Sequence, residues 1–148
     1  MKYFGITFLG ILFISCVHPI KVVKSISCSS NFELQFDKTT SKGQMRKKNQ
    51  KNITLIFLNY FSDSIKVYFN GKLKFQEFVV TDSISGDSHK RFFYDLRNEK
   101  KLPILKVESS NRNCFDIQLN KKYKLAYLFL DDKKNWTIRF SNKYYVDN

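Results

Sequence analysis

The sequence predicts an all-β fold, an antiparallel β-sandwich of about eight strands, with a small β-barrel as the alternative. Apolar residues alternate with polar ones in short runs, the period of a half-buried strand. Turn-forming clusters separate those runs at the spacing of a sandwich or barrel, and no stretch carries a convincing helical period. The 148 residues are 43% hydrophobic and 16% aromatic, enough for one apolar core. Only five Gly, two Pro and three Cys exclude collagen-like, Pro-rich and small disulfide-scaffold classes.

The elements follow in order. Phe32, Leu34 and Phe36 alternate with Glu33 and Gln35, giving a first strand. Residues 37–52, DKTTSKGQMRKKNQKN, hold six Lys or Arg against one Asp, with Met45 their only large apolar side chain. Such a run cannot pack and is expected to be an exposed loop. Residues 53–60, ITLIFLNY, and residues 123–130 are apolar on both faces, so both are expected to be central strands. Residues 91–96 and 104–108 add two more strands. Phe115, Ile117 and Leu119 alternate with Asp116 and Gln118, and Trp136, Ile138 and Phe140 alternate with Thr137 and Arg139. The turn-rich residues 131–135 separate the last two strands.

One hairpin can be read to its register. Ile65 and Val67 precede Asn70-Gly71, and Leu73 and Phe75 follow it. A two-residue Asn-Gly turn pairs Phe69 with Lys72 and Val67 with Lys74, which sends the two apolar sets to opposite faces. A three-residue loop with Gly71 left-handed instead pairs Val67 with Leu73 and Ile65 with Phe75. That register is the expected one, and it gathers Lys66, Tyr68, Lys72 and Lys74 on the outer face. Lysines there could meet phosphates, sulfates or uronates while Tyr68 stacks on a ring. The alternative is a solvated face whose lysines prevent edge pairing.

Residues 1–16, MKYFGITFLGILFISC, form an apolar run behind a single Lys, the pattern of a secretory signal peptide. At 1.5 Å per residue, the apolar run ending at Val17 reaches about 22 Å as a helix, short of a hydrocarbon core of about 30 Å. Its end, Phe13-Ile14-Ser15-Cys16, resembles the lipobox of bacterial lipoproteins. That resemblance covers the targeting segment only and implies cleavage before Cys16 and lipidation of its thiol. An ordinary signal peptide with an incidental Cys is the alternative. The expected organisation is a signal peptide over residues 1–15, a lipidated Cys and tether over 16–30, and a β-sandwich domain over 31–148. If Cys16 carries lipid, Cys28 and Cys114 remain. An exported chain meets oxidising conditions, so these two are expected either to pair or to stay as free thiols.

The chain is short of parts for common chemistries. Its histidines are His18, beside the lipidation site, and His89, in an expected loop, and no nucleophile-elbow pattern surrounds any Ser. Acid pairs such as Asp95 and Glu108 arise by chance among thirteen acids. Asp82, Ser83, Ser85, Gly86 and Asp87 form an oxygen-rich run, but Ile84 in its third position and the lack of a Glu in its twelfth leave a polar turn. No catalytic residue, metal site or cofactor is expected. Lys and Arg number 26 against 13 acids, a net charge of +13. The expectation is an exported, lipid-anchored cell-envelope binding or adaptor protein without catalytic activity. Its expected partners are the membrane, through the lipid, together with an acidic glycan, anionic lipid or protein, and not nucleic acid. A periplasmic inhibitor or immunity protein that blocks an enzyme is the alternative function, and secretion is the alternative to a membrane anchor.

Overall fold

A computed structural model describes Cys28 and residues 31–37, 44–45, 51–110 and 113–144. The signal-like segment with Cys16 and His18, and most of the 16–30 tether, lie outside the described residues. Eleven strands make up the described elements: β1 (Phe32–Phe36), β2 (Gln44–Met45), β3 (Asn52–Leu58), β4 (Ser62–Phe69), β5 (Lys72–Val80), β6 (Asp87–Asp95), β7 (Ile104–Ser109), β8 (Cys114–Gln118), β9 (Leu125–Leu130), β10 (Trp136–Ser141) and β11 (Lys143–Tyr144). They form a sandwich of a five-stranded sheet, β1-β10-β9-β3-β6, and a four-stranded sheet, β5-β4-β7-β8, with β2 and β11 paired separately.

The core lies between the sheets because each strand turns alternate apolar residues inward. Ile53, Leu55 and Phe57 of β3 meet Ile65, Val67 and Phe69 of β4, Leu105 and Val107 of β7 and Phe115 and Ile117 of β8. Trp136 fills one end, its ring 5.1 Å from that of Phe115 and 5.8 Å from that of Phe61.

The four-stranded sheet is antiparallel throughout, but the five-stranded sheet is not. β1 runs parallel to β10, and β3 runs parallel to β9. Strands in parallel pairs are characteristically buried on both faces, and the two doubly apolar segments, β3 and β9, are the ones that pair so at the centre. Their outward residues Ile56, Leu125 and Tyr127 form a second buried cluster with Leu58, Phe129 and Tyr144. The Tyr127 hydroxyl donates to the Lys143 carbonyl at 2.9 Å, which ties β11 to that face. The basic stretch 37–52 is therefore not wholly loop: Met45 pairs with Lys143 and Gln44 with Tyr144.

The β4–β5 hairpin also differs from its expected register. Phe69 pairs with Lys72 across a two-residue turn in which Asn70 (φ 50°) and Gly71 (φ 75°) are both left-handed, as a type I′ turn requires. A bulge at Lys74 then shifts the ladder, so Val67 pairs with Phe75 and Ile65 with Glu77. One extra residue restores the inward phase that the tight turn alone would lose.

The strands divide the connections between two ends. At one end stand residues 59–61, 81–86 and 131–135, the β7–β8 turn, and the entry of the N-terminal segment at Cys28 and Phe32. At the other stand residues 70–71, 96–103 and 119–124, together with Asp37 and Lys51, where the chain leaves β1 and re-enters β3. We call these the entry end and the far end. Cys28 and Cys114 form a disulfide with Cα atoms 5.3 Å apart, fastening the N-terminal segment to the start of β8 on the entry side.

Asp63 closes a corner at the entry end. Its Oδ1 accepts the N–H of Ser64 at 2.7 Å, the N–H of Ser110 at 3.3 Å and the Ser110 hydroxyl. Asp63→Ala strands these donors beside the β7–β8 turn, and urea denaturation is expected to show a loss of about 1–3 kcal/mol. An unchanged unfolding midpoint would show that water replaces the carboxylate at no cost.

Candidate functional site

The four residues expected to form one basic face are separated by the bulge and the turn. Lys66 and Tyr68 do share the outer face of the four-stranded sheet, both half-buried. Their neighbours there are of mixed sign. Lys106 Nζ lies 5.5 Å from the Tyr68 ring centroid and 3.3 Å from Glu108, and Glu108 stands across from Lys66 in the ladder. A hollow of about 280 Å³ beside them is lined by Ser64, Lys66, Gln76, Glu108, Ser109 and Ser110. Lys72 is opposite the inward-facing Phe69, so it sits on the other side of the ribbon from Tyr68, and Lys74 is the unpaired bulge residue. The expected patch is thus two residues in an ion-paired polar face, with Lys72 turned toward the far end of the sandwich.

The oxygen-rich run at residues 82–87 is a turn held by its own backbone. Asp82 Oδ1 accepts N–H groups from Ile84 at 3.0 Å and Ser85 at 2.8 Å, and the Ser85 hydroxyl at 3.1 Å. The Ser85 backbone bond, then the Ser85 hydroxyl, hold the Asp82 carboxyl below its ordinary value. Asp87 is taken by Arg91 at 2.6 and 2.9 Å, and that guanidinium holds the Asp87 carboxyl down as well. Asp82 Oδ1 and both Asp87 oxygens are thus taken by the turn itself and by Arg91. Among the described residues no group of His, Cys, Asp and Glu is placed to hold a metal ion. His89 stands exposed at the irregularity in β6 with φ 54°, its Nδ1 3.9 Å from Asp87.

The positive charge is instead concentrated at the far end, where four connections meet. Lys51 precedes β3 and Lys72 follows the hairpin turn. Arg97, Lys100 and Lys101 occupy the β6–β7 connection, and Lys121, Lys122 and Lys124 the β8–β9 connection. The loops are tied to one another and to the sheets. Asn70 Nδ2 donates to Glu99 Oε2 at 3.1 Å and Asn70 Oδ1 accepts the Ile104 N–H at 3.0 Å. Leu96 donates to the Lys51 carbonyl at 2.8 Å, and Leu119 donates to the Pro103 carbonyl at 3.0 Å. Asn142 Nδ2 donates to the Lys122 carbonyl at 2.9 Å.

Acids do little to neutralise these cations. Among the described residues Arg97 alone of them forms an ion pair, with Asp95 at 2.5 Å. Its side-chain hydrogen bond, then its backbone N–H, hold the Asp95 carboxyl below its ordinary value. Glu99 is engaged by Asn70 and by the Tyr94 hydroxyl. Burial, then the bond to Glu99, push the Tyr94 phenol up to about 12, so Tyr94 stays a donor. A cluster of uncompensated ammonium groups raises the local concentration of polyanions and offers them many exchangeable contacts. The paired lysines at 100–101 and 121–122 were legible as charged turn residues, but their meeting depends on which connections share an end.

No family profile, no curated protein and no solved structure matches the chain.

Proposed function

We propose that this chain is an exported, lipid-anchored cell-envelope binding protein without catalytic activity, held to a membrane through Cys16. In this reading its far end takes an acidic envelope polymer such as a uronate-, sulfate- or phosphate-bearing glycan. The observation that carries the reading is the segregation of charge, with the uncompensated lysines at the end opposite the one where the N-terminal segment enters. The Cys28–Cys114 disulfide supports export, because such bonds persist in oxidising compartments. The lipobox-like Phe13-Ile14-Ser15-Cys16 supports the anchor.

Intact mass of the protein from cell membranes tests the anchor: the expected mass begins at Cys16 and includes an acyl-glyceryl addition. Cys16→Ala is expected to shift the protein out of the membrane fraction, and a mature N-terminus elsewhere would end that part of the reading. Retention on an acidic polysaccharide matrix across a salt series tests the other part. Binding that is equal on neutral and acidic matrices would reject it.

A further inference from the structure

The entry end differs from the far end in charge, while exposed apolar side chains occur at both, Phe36, Leu73 and Ile104 at the far end. Its described connections carry Asp82, Asp131 and Asp132 against Lys133 and Lys134, so those described connections have no cationic excess. Among its polar residues stand the three most exposed large apolar side chains of the described residues. Ile84 is 95% exposed at the tip of its turn and Tyr60 is 63% exposed, and the two line one hollow of about 440 Å³. Phe78 and Val80, 62% and 53% exposed, stand toward the same end of β5, across from Ser64 and Ser62.

The two tips are held firmly. Asn59 (φ 61°) and Tyr60 (φ 51°) are consecutive left-handed residues, a conformation that costs a non-glycine residue energy. Tertiary bonds hold it in place. Asn59 donates to the Gly86 carbonyl at 2.8 Å, Phe61 to Thr81 Oγ1 at 3.0 Å, and Lys134 Nζ to the Tyr60 carbonyl at 3.3 Å. A Cβ at Gly86 would stand 2.7 Å from Asn59 Oδ1, so glycine permits the close approach of the two loops.

We propose that this entry end rests on the lipid bilayer, with Ile84 and Tyr60 set into its interfacial layer. The proposal builds on the Cys16 anchor of the preceding section. Tether length and the place where the tether attaches set which end can approach the membrane. Cys16 to Cys28 is twelve residues, at most about 42 Å when fully extended. The nine-residue β5 alone spans about 30 Å. Bringing the far end to the membrane would require the tether to lie stretched along most of the domain, whereas the entry end reaches the membrane with the tether slack. The shorter reach therefore favours the entry end, and that end presents an exposed Ile and Tyr on its loops. Tyr suits the interface, where its ring is buried and its hydroxyl stays hydrated. The far-end lysines then face away from the membrane, toward the envelope polymer.

The mature chain, beginning at Cys16, is joined through that thiol to a maleimide-bearing lipid in phosphatidylcholine vesicles. This fixes the anchor whether or not cells lipidate it, and intact mass of the cellular protein reports on lipidation separately. A tryptophan is placed at the entry end, Ile84→Trp, or at the far end, Lys101→Trp. The native Trp136 is buried and supplies a constant background. Brominated acyl chains are expected to quench the Ile84→Trp probe several-fold more than the Lys101→Trp probe, and acrylamide is expected to do the reverse. Adding Tyr60→Asp to Ile84→Trp should remove most of the lipid quenching. Equal acrylamide access for the two probes would overturn the proposal. Lipid quenching of the Lys101→Trp probe in vesicles with added phosphatidylglycerol would overturn it too, because the basic end would then be the membrane face. Protection of the Ile84→Trp probe from both quenchers would assign the entry end to protein contact instead.

Discussion

Replacing both bridged cysteines, Cys28→Ala with Cys114→Ala, is expected to lower the unfolding free energy by about 3–4 kcal/mol. The bridge spans 86 residues, and closing a loop of that length removes about 4.5 kcal/mol of unfolded-state entropy, from which loss of residual structure in the unfolded chain subtracts. For a domain whose total stability is about 5–15 kcal/mol, this is a large share. Alanine is the substitute of choice because both sulfurs are buried and a hydroxyl there would add its own desolvation cost. Urea denaturation should show a lower midpoint and a steeper slope, since the unbridged chain exposes more surface on unfolding. Reductant should move the parent to the same midpoint and leave the double variant unmoved. A midpoint unchanged by either treatment would mean that the packing of β8 holds this region without the bond.

Reversing four far-end charges, Lys100→Glu, Lys101→Glu, Lys121→Glu and Lys122→Glu, is expected to weaken binding to an acidic polysaccharide at least about 100-fold at low salt. Each lysine facing an anionic surface contributes about 1 kcal/mol, and reversal converts that attraction into repulsion. Stability should hardly change. All four side chains are exposed, none forms an ion pair among the described residues, and exposed charges contribute little to folding. The comparison pairs are Lys66→Glu with Lys106→Glu on the outer sheet face, and Lys133→Glu with Lys134→Glu at the entry end. Isothermal titration at several salt concentrations separates the three regions, because attraction between exposed charges fades as the screening length falls to about 3 Å at 1 M salt. A larger loss from the Lys66 and Lys106 pair would move the polyanion site to the outer face and remove the far end from the proposed function.

Local pattern in the sequence marked most of the strands and their buried faces, but not β2, β11 or the start of β6, where His89 stands in a strand and not in a loop. Phe32, Leu34 and Phe36 lie opposite Trp136, Ile138 and Phe140 as alternation requires, and the doubly apolar β3 and β9 are the centre of their sheet. These features are legible because side-chain period depends on adjacent residues alone. Strand direction was not legible. The doubly apolar runs of β3 and β9 suit parallel pairing, but they suit any central strand, and the direction follows from the route of the intervening chain. The hairpin at Asn70-Gly71 shows the boundary within a single element. The turn residues announced a tight turn and the apolar pattern announced its register, and the two conflicted until a bulge at Lys74 reconciled them. The same limit explains the candidate site. Lys66, Tyr68, Lys72 and Lys74 are near in sequence, and the twist, turn and bulge of one hairpin divide them. Lys51, Lys101 and Lys122 are remote in sequence, and the alternation of connections between two ends of a sandwich brings them to one end. Charge was legible residue by residue, but its concentration at one end of the sandwich is a property of topology, and so only the tertiary structure decided it.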